Sequence, residues 1–126
     1  MNPAKTILVV DDEQEVLDFL EKKLSEQNYN VLRAVTAMEA IRQARGNLPQ
    51  LILMDIVLPD MEGAEAVRVL AEAPPTQDIP VIFLSGILSS DDMTDLEVNV
   101  GGRLYKAVSK PFAFEDLLAE IRKTIG

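Results

Sequence analysis

The chain has 126 residues, with 21 acidic and 12 basic side chains, no histidine, no cysteine and a net charge of −9. That length suits one domain with its own core, and a mean hydropathy of +0.09 fits a globular rather than a disordered or membrane-spanning chain. The acidic balance argues against direct binding to a nucleic-acid backbone, and the missing cysteine and histidine exclude disulfides, thiolate zinc sites and histidine catalysis.

No apolar stretch approaches the roughly 20 residues that span a bilayer. The opening MNPAKTILVVDDE meets carboxylates too early for a signal peptide, so a cytoplasmic protein with no membrane partner is expected.

In chain order, Thr6 to Val10 is the first strand-length apolar run. Glu13 to Gln27 follows as a helix, with Val16, Leu17, Leu20 and Leu24 on one face and Glu21, Lys22 and Lys23 opposite. Val31 to Ala34 is a second strand. Thr36-Ala37-Met38-Glu39 then carries a capping-box pattern that opens a helix through Ala40, Ile41 and Ala44, stopped near Gly46. Leu51 to Met54 is a third strand, and Glu62 to Ala73 a helix that ends before Pro74-Pro75.

Pro80 to Leu84 and Leu104 to Val108 are the last strands, and Phe114 to Ile125 spaces Phe114, Leu117, Leu118, Ile121 and Ile125 for a terminal amphipathic helix. Ser89 to Gly102 is the least helical interval, with only Met93, Leu96 and Val100 in register. The runs ILVV, LILM and VIFL are apolar continuously, as strands covered on both faces are. Alternating strands and helices therefore predict an α/β fold: a doubly wound, five-stranded parallel sheet with helices on both faces, and one domain over 1–126. In such sheets ligands bind beyond the carboxyl ends of the strands.

Polar groups stand at those ends: Asp11-Asp12-Glu13 after ILVV, Asp55 after LILM, Ser85-Gly86 after VIFL, and Lys110 after the fifth run. Each alone has an ordinary reading. Asp12-Glu13-Gln14-Glu15 could cap a helix, Asp55 could be a turn residue before Pro59, Ser85-Gly86 a turn, and Lys110 a solvated cation ahead of a helix-starting Pro111. Jointly they make a chemically complete site. Gathered carboxylates form a hard oxygen site suited to Mg2+, a carboxylate is a competent nucleophile toward phosphorus, and Lys110 and Ser85 can bind phosphoryl oxygens while Gly86 leaves room. Asp55 is the expected acceptor.

Motif by motif, Ile7 to Ile125 resembles the receiver domain of two-component response regulators, a flavodoxin-like fold. The resemblance rests on Asp11-Asp12, on Asp55-Ile56-Val57-Leu58-Pro59-Asp60-Met61-Glu62-Gly63, on Ser85, and on Lys110-Pro111-Phe112. It implies that Asp55 is the phosphoacceptor, that Asp11, Asp12 and Asp55 with the main-chain carbonyl of Val57 bind Mg2+, and that Lys110, before a cis proline, holds the phosphoryl group. It implies a sensor histidine kinase as phosphodonor, an output protein or effector domain as listener, and no enzymatic activity beyond self-phosphorylation and autodephosphorylation at Asp55.

The chain departs from the family at Ala107, where an aromatic switch residue often stands three positions before the lysine. Tyr105 lies two residues earlier on the same strand face and is expected to pack. Ser85 keeps the hydroxyl of the family's usual threonine. The expected switching region is the loop after Ser85, including Ile87, with the last strand and the interval Ser89 to Gly102, where the fourth, weakest helix is expected.

Two rival readings differ in class. A degenerate receiver would act as a phosphorylation-independent interaction module, consistent with Ala107. A phosphohydrolase of the haloacid dehalogenase type would carry an Asp two residues after its nucleophile, where this chain has Val57.

Overall fold

The computed structural model describes residues 4–86 and 97–126. Its elements run β1 (Thr6–Val10), α1 (Gln14–Glu26), β2 (Asn30–Ala34), α2 (Ala37–Asn47), β3 (Leu51–Asp55), α3 (Gly63–Ala71), β4 (Val81–Ser85), β5 (Glu97–Val100), β6 (Arg103–Ser109) and α4 (Phe114–Ile125). The sheet order is β2-β1-β3-β4-β6-β5. Five strands pair in parallel as expected, and β5 adds an antiparallel edge against β6, with Val98 opposite Tyr105.

The continuous apolar runs are the central strands. Along β1, Leu8 and Val10 pack with Ile52, Met54 and Phe83 under α2 and α3, while Ile7 and Val9 pack with Leu51, Leu53, Ile82 and Leu84 under α1 and α4. A period of two thus divides each run between two cores, which is why it shows no polar alternation. Helices cover both faces, as a doubly wound sheet requires.

Local chemistry sets the helix ends. Thr36 Oγ1 accepts the Glu39 N–H at 3.1 Å, so the expected cap of α2 is present. The Asp12 capping box is not: α1 is entered through Glu13, whose side chain makes no capping bond. α2 closes on Leu48 at φ 45 and ψ 63, a left-handed position with no glycine. α3 stops at Ala71, two residues earlier than Ala73, and beyond Pro74-Pro75 the buried Thr76 hydroxyl donates to the Leu70 carbonyl at 2.6 Å.

The expectation of a helix over Ser89 to Gly102 is corrected where it can be read. Glu97–Val100 is a strand, with Val98 and Val100 half-buried between exposed Glu97 and Asn99. Two β-branched residues in a period of two favour a half-buried edge strand over a helix. Ile87, Met93 and Leu96 lie outside the described residues.

Candidate functional site

The parallel registers bring the strand ends to one edge. Val10 stands beside Met54, Asp55 beside Leu84 and Ser85 beside Ser109. The sheet order reverses between β1 and β3, so Asp11 and Asp55 emerge at the switch point where open α/β sheets bind ligands.

Asp11 is fully buried and thoroughly bonded. Its N–H donates to the Ala34 carbonyl at 3.1 Å, its Oδ1 accepts the Glu13 N–H at 2.9 Å, and its Oδ2 accepts from Lys110 Nζ at 2.6 Å. Asp55 is buried too; Oδ1 accepts the Val57 N–H at 3.3 Å and Oδ2 accepts from Lys110 Nζ at 3.2 Å. Lys110 is therefore not a solvated surface lysine. Its ammonium also reaches Glu13 Oε1 at 3.3 Å, while its backbone N–H donates to the Ser85 carbonyl at 2.7 Å and the bond to Pro111 is cis.

Burial pushes the Asp55 carboxyl above its ordinary value, and the neighbouring charge of Asp11 adds to this against the opposing pull of Lys110. Burial of Lys110 works to lower its pKa, but hydrogen bonding and attraction to Asp11 and then Asp55 outweigh it, and the net direction is up. The lysine stays an ammonium and the acidic group keeps its counter-charge.

Ligand oxygens of Asp11, Asp12, Glu13 and Asp55 all lie within 4.8 Å of one another. Four carboxylates, two of them exposed, are a hard oxygen set open to water and fit a magnesium-like ion. Glu13 is the member that sequence reasoning left out of the ligand set, because it reads as the first turn of α1. The signal was its place beside Asp11-Asp12.

Val57, two residues past Asp55, sits in a tight lobe closed by the bridge Val57↔Glu62 and by a 2.7 Å bond from the Gly63 N–H to the Ile56 carbonyl. A Cβ on Gly63 would stand 2.1 Å from the Asp55 carbonyl oxygen, so glycine is what lets α3 start against the acceptor's own backbone. At the lobe's far end Asp60 accepts from the N–H groups of Ala37 and Met38, at 2.8 and 3.0 Å, and these bonds hold its carboxyl below the usual range.

Ser85 ends β4 fully buried. On β6 the face carrying Tyr105, Ala107 and Ser109 is buried. Tyr105 meets Phe83 edge-on, with ring centroids 5.9 Å apart, and Ala107 lies beside Phe83 in the β4–β6 register. Tyr105 is packed, and position 107, three residues before the lysine, holds only a methyl group.

Beside Lys110, the side chains of Val16, Phe19, Pro111 and Phe112 line an open groove of about 480 Å3, with Phe19 44% exposed.

A family model for the response regulator receiver domain matches residues 7–122. Among similar curated proteins, the transcriptional regulatory protein PrrA of Mycobacterium tuberculosis is 36% identical over 117 residues, covering 92% of this chain and 48% of that protein. The response regulator ArlR of Staphylococcus aureus is 34% identical, covering 92% and 50%. The chain thus spans about half the length of these relatives. A CheY-like receiver domain protein from Methanospirillum hungatei superposes with a TM-score of 0.79 at 31% identity, covering 95% of this chain and 92% of that one. The fold is shared at lower identity, 24% with a TM-score of 0.83 and 98% of each chain covered, by the receiver domain of the histidine kinase PA1611 from Pseudomonas aeruginosa, whose structure has a magnesium ion in its active-site cleft.

Proposed function

Because this chain belongs to the response regulator receiver domain family of two-component systems, we propose that Asp55 accepts a phosphoryl group from a sensor histidine kinase in a Mg2+-dependent step. The observation that carries this reading is a buried carboxylate 3.2 Å from a lysine ammonium, inside a group of four acidic residues at the sheet's switch point.

The Val57 N–H holds one Asp55 oxygen. The other faces Lys110 and is the oxygen placed to attack phosphorus: an O–P bond forms, the P–N bond to the donor's phosphohistidine breaks, and its electron pair returns to that imidazole. Lys110, a compact cation with three N–H donors, binds a phosphoryl oxygen. Ser85 offers a hydroxyl to another. Asp11, Asp12, Asp55 and the Val57 carbonyl, with Glu13 beside them, are the groups to hold Mg2+. When bound, that ion supplies positive charge that screens the acidic group from the incoming phosphoryl. Water later cleaves the acyl phosphate and regenerates Asp55.

The groove of Phe19 and Phe112 gives the phosphodonor an apolar surface beside the site. The new charge is read through Ser85 and the β6 face of Tyr105 and Ala107 by an output partner. No helix among the described residues is long and apolar enough to cross a membrane, and a cytoplasmic place follows from the kinase partnership.

The experiment is incubation with a small phosphodonor and Mg2+, then intact mass. One phosphate adduct is expected, absent in Asp55→Asn and without the ion, and diminished in Asp12→Ala. An adduct that survives Asp55→Asn removes the reading.

Ala107 favours one alternative, a module whose partner binding ignores phosphorylation. Equal binding of an output partner before and after phosphodonor treatment would establish it.

A further inference from the structure

Asp60 lies five residues beyond Asp55, and no step described above uses it. Its carboxylate accepts the N–H groups of Ala37 and Met38, at 2.8 and 3.0 Å. These are the first two residues of α2, whose own cap, Thr36, accepts the Glu39 N–H with its hydroxyl and the Ala40 N–H with its carbonyl, and neither bond reaches Ala37 or Met38. The first donors of a helix need partners from outside it, and here the partner comes from the lobe that carries Val57.

The same junction holds the other side of the site. The Asp11 N–H donates to the carbonyl of Ala34, the last residue of β2, at 3.1 Å. Asp11 is thus tied to one end of the short segment Ala34–Ala37, and the lobe 56–63 is tied to the other. The lobe has little freedom of its own: Leu58 is buried in the core, the bridge Val57↔Glu62 closes it, and Gly63 is pinned against Ile56 and Asp55. Its placement relative to Asp11 is then a matter of where its tip is fastened.

We propose that Asp60 is a positioning residue for the metal and phosphoryl site: by clamping the 56–63 lobe to the start of α2, it fixes the separation between Val57 and Asp11. This rests on the phosphoacceptor reading. Outer groups that orient metal ligands typically change affinity by about 10-fold or more when removed.

Three variants test it, with Mg2+ affinity read by calorimetry and amide exchange read residue by residue. Asp60→Ala is expected to weaken Mg2+ binding by about tenfold and to speed exchange at Ala37 and Met38 and also at Val57, Glu62 and Gly63. Asp60→Asn, which keeps an acceptor oxygen, is expected to restore most of both. Thr36→Ala removes the other cap of α2 without touching the lobe; it is expected to lower the melting temperature while leaving Mg2+ affinity within about twofold of the parent.

Equal Mg2+ affinities in the parent and Asp60→Ala, or equal losses in Asp60→Ala and Thr36→Ala, would overturn the proposal. If the parent itself binds no Mg2+, the phosphoacceptor reading fails instead. Exchange still decides the clamp in that case: faster exchange confined to Ala37 and Met38 refutes it.

Discussion

At the switch point, β1 from Ile7 onward and the whole of β3 run buried into Asp11 and Asp55, and each of these two carboxylates accepts more than one hydrogen bond. At the edge of the sheet beyond β4, β6 is edged by the four-residue β5, which alternates exposed and half-buried positions and is paired along one edge. The first region holds a few polar groups in place through several hydrogen bonds. The second is a thin margin whose side chains have room. Acceptor chemistry depends on charge held still in a partly dry place, whereas a surface that answers to it must be able to rearrange. The contrast predicts large penalties for small changes near Asp55 and small penalties for larger changes at β5.

The largest effect is expected from Gly63→Ala. One methyl group would stand 2.1 Å from a backbone oxygen that cannot swing away, so a loss of about 3 kcal/mol in urea unfolding is predicted, with slower adduct formation. Lys110→Met comes next. It strands the buried Asp11 and crowds it against Asp55, for about 2 kcal/mol and a roughly 100-fold slower phosphorylation.

The pH dependence of that variant carries a sign. Lys110 has a raised pKa in the fold, so its contribution is complete below its ordinary value of 10.5 and is lost as pH rises through the folded value. Lys110→Met should lack that alkaline limb.

Val98→Ala tests the opposite side. A half-buried edge residue loses two methyl groups for about 1 kcal/mol, and adduct formation measured by intact mass is expected to stay at the parent's level.

The smallest effect is a gain. Asp55 has a raised pKa, so the folded state binds the proton more tightly and stability falls as pH climbs from 3.8 through the folded value. Asp55→Asn, without Mg2+, should melt slightly higher than the parent at pH 7 and no higher below pH 3.8.

The same contrast decides what could be read from the sequence. The runs ILVV, LILM and VIFL announced buried parallel strands, and the stripe from Phe114 to Ile125 gave α4 to the residue. Where strands end is where their sheet binds ligands, so Asp11, Asp55, Ser85 and Lys110 could be gathered before any contact was known. β5 was not legible, because Glu97-Val98-Asn99-Val100 is too short for alternation to stand out from a weak helical spacing.

Glu13 was hidden by its second role as the entry to α1. Gly63 closes the motif that follows Asp55, but its need to lie against the Asp55 carbonyl is a contact only the fold reveals. The Asp60 bonds join a loop residue to the first turn of α2, 23 and 22 positions away in a different crossover. No local pattern encodes such a bond.

If Asp55 is the residue that accepts the phosphoryl group, the most direct test is to map the bond. Protein treated with phosphodonor and Mg2+ is reduced with borohydride, which converts an aspartyl phosphate to homoserine, and its peptides are sequenced by mass spectrometry. Conversion at position 55 alone is predicted, with none in untreated protein. Conversion at Asp11 or Asp12, or phosphate retained on Ser85 or Ser109, would contradict it.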